Sequence, residues 1–84
     1  MSEAELHDLV VRALVDAAPD VDPDAVDDEA HLREELELDS MDFLEFVSRL
    51  SEETGLDIPE RDYERLTSVR AATAYLVAQS VAAG

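Results

Sequence analysis

Apolar residues in this chain recur at the spacing of a helix and nowhere alternate as a half-buried strand requires, so a sheet is disfavoured from the outset. Leu6, Leu9, Val10, Ala13, Leu14 and Ala17 fall at i, i+3, i+4 and i+7, which predicts an amphipathic helix over 2–18. Ser2 is placed to cap that helix and Pro19 to end it. Phe43, Phe46, Val47 and Leu50 mark a second helix over 39–54, with Gly55 as its left-handed C-cap. Leu56-Asp57-Ile58-Pro59 reads as a short extended link. Tyr63 and Leu66 face inward from a short helix over 60–66. Val69, Ala72, Leu76 and Val77 do so from a last helix over 67–82, capped by Thr67 or Ser68. The expected architecture is all-α: a small four-helix bundle of three longer helices plus one short helix, with a long first loop. Its 84 residues form a single domain, 1–84. A domain of this size buries only roughly 60–65% of its unfolded surface.

The loop over 19–38 contains Pro19, Pro23 and clustered aspartates, which argue against continuous helix. A short helical turn is expected around Asp28–Glu35. Val21, Val26, Leu32, Leu36 and Leu38 are the side chains available to pin the loop to a core. Asp20, Asp22 and Asp24 match positions 1, 3 and 5 of an EF-hand loop. Ala25 then stands where glycine is needed and His31 where the bidentate glutamate belongs, so no dedicated calcium or other metal site is expected.

Charge narrows the choice of partner. Six cations, all arginine, stand against 22 acidic residues, a formal net charge of −16. Nucleic acid binding requires a cationic surface that releases counterions, and this chain has none. Its partners are expected to present basic patches, and association to be fast and salt-sensitive. There is no cysteine, so any thiol chemistry has to arrive on a prosthetic group. No apolar run approaches membrane-spanning length, and Met1-Ser2-Glu3-Ala4-Glu5 has neither the basic nor the apolar part of a leader. A cytoplasmic monomer without membrane insertion is expected.

One serine is framed differently from the other hydroxyls. In Leu36-Glu37-Leu38-Asp39-Ser40-Met41-Asp42-Phe43, Asp39 can cap the second helix and Ser40 then occupies its first exposed turn. The unpaired N–H groups and dipole of a helix start tolerate an anion built on that hydroxyl. An Asp-Ser pair at a helix start is by itself far more often structural than functional. The surrounding sequence reverses that weighting. The octet resembles the phosphopantetheine attachment motif of acyl carrier proteins, whose core is Asp-Ser-Leu or Asp-Ser-Met. The resemblance extends over nearly the whole chain, through Leu32-Arg33-Glu34-Glu35-Leu36, Glu52-Glu53-Thr54-Gly55, Leu56-Asp57-Ile58-Pro59 and Leu66-Thr67-Ser68-Val69.

The resemblance implies a freestanding acyl carrier, in keeping with Met1 and the lack of flanking linkers. It implies a 4'-phosphopantetheine arm placed on Ser40 by a phosphopantetheinyl transferase, with coenzyme A as donor. The arm would carry acyl intermediates as thioesters to fatty acid, polyketide or related biosynthetic enzymes. Acyl-loading, condensing and acyl-transfer enzymes with basic docking surfaces are the implied partners. Glu37, Asp39, Met41, Asp42, Leu44 and Glu45 are the implied recognition residues, and Arg49 and Ser48 stand where the family is often apolar or small. Such a protein is a substrate of enzymes and no enzyme itself, and no motif ties His7 or His31 to the serine. The family usually has glycine where this chain has Glu37, so the loop is expected to enter the helix differently. Two other functions stay open: a carrier of amino acid or peptidyl cargo, and an unmodified acidic interaction domain for which Ser40→Ala changes nothing. A calcium sensor is a weaker third.

Overall fold

In a computed structural model that describes residues 2–83, three 15-residue α-helices and one 3-10 helix follow in the order the periodicity predicts. They are α1 (Glu3–Ala17), α2 (Ser40–Thr54), η1 (Glu60–Arg65) and α3 (Val69–Ala83). No strand occurs among the described residues.

Each longer helix begins where a side chain takes up an orphan amide. Ser2 and Glu5 form a reciprocal capping box, Glu5 N–H to Ser2 Oγ at 3.2 Å and Ser2 N–H to Glu5 Oε1 at 3.3 Å. The Ser2 bonds hold the Glu5 carboxyl below the usual carboxylate range. Asp39 caps α2, and Ser68 Oγ accepts the Ala71 N–H at 3.0 Å at the start of α3. Gly55 closes α2 at φ 71°, a conformation open to glycine without steric cost.

The six stripe residues of α1 are all buried, with Val10 and Leu14 fully so. They pack on one side against Phe46, Val47 and Leu50 of α2 and on the other against Val69, Ala72 and Leu76 of α3. Thus α1 is the common partner of the other two longer helices. Tyr75 is buried as well, where the sequence pattern had named Val77, which is only half-buried. The Tyr75 hydroxyl donates to Asp62 Oδ2 at 2.7 Å, and the Arg65 guanidinium lies 4.9 Å over its ring. Burial, with the Asp62 contact adding to it, pushes the Tyr75 phenol up to about 12. These contacts tie η1 to α3.

Over Asp28–Glu35 the loop forms two turns and no longer helix: Ala30 N–H bonds Asp27 C=O at 3.0 Å, and the expected single helical turn closes from Glu35 N–H to His31 C=O at 2.8 Å. Asp22 and Asp27 instead accept the amides two residues on, of Asp24 and Glu29. Such Asx turns compete with helix, which is why the aspartates break the segment. The loop is held by Leu32 and Leu38, both buried, with Val21, Val26 and Leu36 packed more lightly beside them. Hydrogen bonds then fix its course: Leu32 N–H to Thr67 C=O and Arg70 N–H to Asp28 C=O, each 2.8 Å. The His7 ring, from α1, bonds both Asp28 carboxylate oxygens through Nε2 at 2.9 and 3.0 Å. Among the described residues, no helix is long and apolar enough to cross a membrane, and no cluster of three or more His, Asp or Glu could hold a metal.

Candidate functional site

Ser40 is the first residue of α2 and is exposed to solvent. Asp39 before it is extended, at φ −82° and ψ 179°, and its Oδ1 accepts the Asp42 N–H at 2.8 Å. Phe43 N–H makes the first backbone bond of the helix, to Asp39 C=O at 3.0 Å. The N–H groups of Ser40 and Met41 are left without a partner among the described residues. Beside the serine hydroxyl are therefore two open donors and the positive end of a helix dipole.

The backbone entering this turn corrects one expectation from the sequence. Glu37 takes φ 58°, the left-handed conformation that glycine would adopt easily. The chain therefore keeps the left-handed turn and simply places a side chain on it. Both neighbours are drawn inward: Leu38 is buried and Leu36 half-buried. Leu38 N–H also bonds Leu32 C=O at 3.3 Å. With its flanks held this way, Glu37 is constrained to the turn despite its Cβ.

A groove of about 530 Å³ opens beside Ser40, between α2, η1 and the loop. Phe43, Leu44 and Tyr63 give it an apolar side, with the Phe43 and Tyr63 rings edge to face at 6.0 Å. Glu60, Glu64, Thr67, His31 and Arg33 supply its polar rim. Two of these, His31 and Arg33, were not tied to the serine by any motif. Arg33 Nη2 donates to Ser40 Oγ at 3.3 Å. His31 Nδ1 accepts the Glu34 N–H at 3.3 Å, and the His31 N–H donates to Glu35 Oε2 at 2.6 Å, so this histidine helps fold the loop. The loop course that brings Arg33 to Ser40 is set by the bond to Thr67, a pairing across the chain that leaves no local pattern.

The six recognition candidates are brought together along the first two turns of α2 and the loop before it. Glu37, Asp39, Met41, Leu44 and Glu45 are exposed and Asp42 is half-buried. Met41 at 77% and Leu44 at 48% exposure are large apolar side chains left to solvent beside acidic ones. Glu45 is already paired, to Arg49 Nε at 3.1 Å, and Arg49 reaches Asp16 of α1 at 3.7 Å as well. The acidic face at the serine end of α2 is thus free of ion pairs among the described residues, while Glu45 one turn on is neutralised by Arg49.

A family model described as the phosphopantetheine attachment site matches residues 9–76. An acyl carrier protein of Rubrobacter xylanophilus is 40% identical over 62 residues, 74% of this chain and 76% of that one. One from Bdellovibrio bacteriovorus is 38% identical over 72 residues, 86% of each chain. The solved structure of the acyl carrier protein from Enterococcus faecalis superposes with a TM-score of 0.78 at 30% identity. That match covers 94% of this chain and 99% of that one.

Proposed function

The chain belongs to the acyl carrier protein family and works as an acyl carrier with phosphopantetheine as its prosthetic group; on that premise we propose that Ser40 is the residue that bears the arm. The observation carrying this assignment is the exposed Ser40 hydroxyl at the start of α2, flanked by the open N–H groups of Ser40 and Met41. Those donors and the helix dipole favour the negative charge of a phosphodiester at that spot. When bound, the arm supplies a terminal thiol on which acyl groups are carried as thioesters. Tethering keeps cargo at a high effective concentration near whichever active site the carrier docks on.

Ser40 acts here as a passive acceptor. Its oxygen touches a guanidinium, a group with five donors and no acceptor, which cannot take the hydroxyl proton. We assign the base for arm transfer to the phosphopantetheinyl transferase, and the carrier catalyses nothing itself. Docking falls to Glu37, Asp39, Met41, Asp42, Leu44 and Glu45. The carboxylates steer basic surfaces of loading, condensing and acyl-transfer enzymes, and Met41 and Leu44 supply the apolar contact. Fatty acid or polyketide assembly is the setting we assign, in a cytoplasmic monomer.

The test is incubation with coenzyme A and a broad-specificity transferase, followed by intact mass of wild type and Ser40→Ala. A gain of one phosphopantetheine in wild type alone is expected. A gain in both would move the attachment elsewhere.

A further inference from the structure

Building on Ser40 as the attachment point, we propose that Arg33 is the anion-holding residue of this site, its guanidinium binding the phosphodiester that the arm places on Ser40. Arg33 Nη2 already donates to Ser40 Oγ at 3.3 Å. A phosphate esterified on that oxygen is, by covalent constraint, adjacent to the group now donating to it. The planar guanidinium fork matches the oxygens of a phosphate better than any other cationic side chain.

Charge explains why such a residue is needed. The arm adds a negative phosphodiester to a chain of formal charge −16, beside Asp39 and Asp42 and across the groove from Glu60 and Glu64. The open N–H groups of Ser40 and Met41 offset this in part, and Arg33 is the full positive charge within reach. Of the six arginines, Arg49 and Arg70 pair with carboxylates, through Glu45, Asp16 and Glu29. Arg12, Arg33, Arg61 and Arg65 form no ion pair among the described residues; Arg65 lies over the Tyr75 ring, and Arg33 is the one that turns to the Ser40 hydroxyl. Its position is also fixed from behind. Leu32, the preceding residue, is fully buried and its amide bonds Thr67, so the Arg33 side chain starts from an anchored backbone.

The experiment loads wild type, Arg33→Gln and Arg33→Lys with the arm, verifies loading by intact mass, and compares loaded with unloaded protein in each variant. Readouts are the phosphorus NMR resonance of the phosphodiester and the melting temperature, at low and at high salt. Taking loaded minus unloaded within each variant cancels any effect of the substitution on folding alone. Loading is expected to favour wild type over Arg33→Gln by roughly 2–5 °C at low salt, shrinking as salt screens the pair. The phosphorus resonance should move in Arg33→Gln, with Arg33→Lys lying between. Identical resonances and identical loading increments in wild type and Arg33→Gln would overturn the role of Arg33 while leaving Ser40 as the attachment point. A wild type that never gains the arm would overturn both.

Discussion

Glu37 holds its backbone at φ 58° without the freedom that glycine has there. For a residue with a Cβ, the left-handed conformation costs roughly 1–2 kcal/mol. Glycine would relieve that strain but add unfolded-state entropy worth roughly 0.4–1 kcal/mol. The first effect is the larger, so Glu37→Gly is expected to stabilise the fold by about 0.5–1 kcal/mol, read as a higher urea midpoint at unchanged slope. The same substitution removes one carboxylate from the proposed recognition face, so binding to a basic partner should weaken while stability rises. Those opposite signs separate what Glu37 does for the fold from what it does for docking. The sequence marked this position as unusual but could not show which way the turn would go. Leu36 and Leu38 decide it, by packing inward on either side.

Between α1 and the first loop the main polar clasp is His7 on Asp28. The Asp28 contact, with Asp8 adding at 3.6 Å, raises the His7 pKa above its ordinary 6.5. The folded state thus binds this proton more tightly than the unfolded chain. The clasp's contribution to stability is complete below pH 6.5 and is lost as pH climbs through the raised folded value. The stability difference between wild type and His7→Gln is therefore expected to be largest near pH 6 and to shrink by pH 8, as measured by denaturant titrations at each pH. Element by element, the sequence was legible wherever period and cap agreed. Ser2, Asp39, Ser68 and Gly55 mark ends that the structure places within two residues of those predicted. It was least legible in η1, where six residues with one inward tyrosine do not distinguish a 3-10 helix from an α-helix. It was also silent on His7–Asp28 and Arg33–Ser40, since both pairs depend on a loop whose course is set by distant hydrogen bonds.

Over the whole molecule, charge and size act on one length scale. The body measures 34 × 25 × 19 Å, so at about 0.01 M salt, where screening extends some 30 Å, almost every carboxylate repels every other. At about 0.15 M the range falls to roughly 8 Å and only neighbours interact. Melting temperature should therefore rise with salt, by roughly 4–8 °C for each 1 kcal/mol of repulsion removed, while affinity for a basic partner falls over the same range. Calorimetry and a binding titration at matched salt would record the two opposing trends. The packing has a consequence of its own. The longer helices meet chiefly through α1, while η1 contributes no buried side chain and has no side-chain cap. Local opening follows contact density, so backbone amides in η1 should trade their protons with solvent first and those of α1 last. The wall of the groove facing Ser40 is then the part of the molecule that breathes, while the frame presenting the serine keeps its shape.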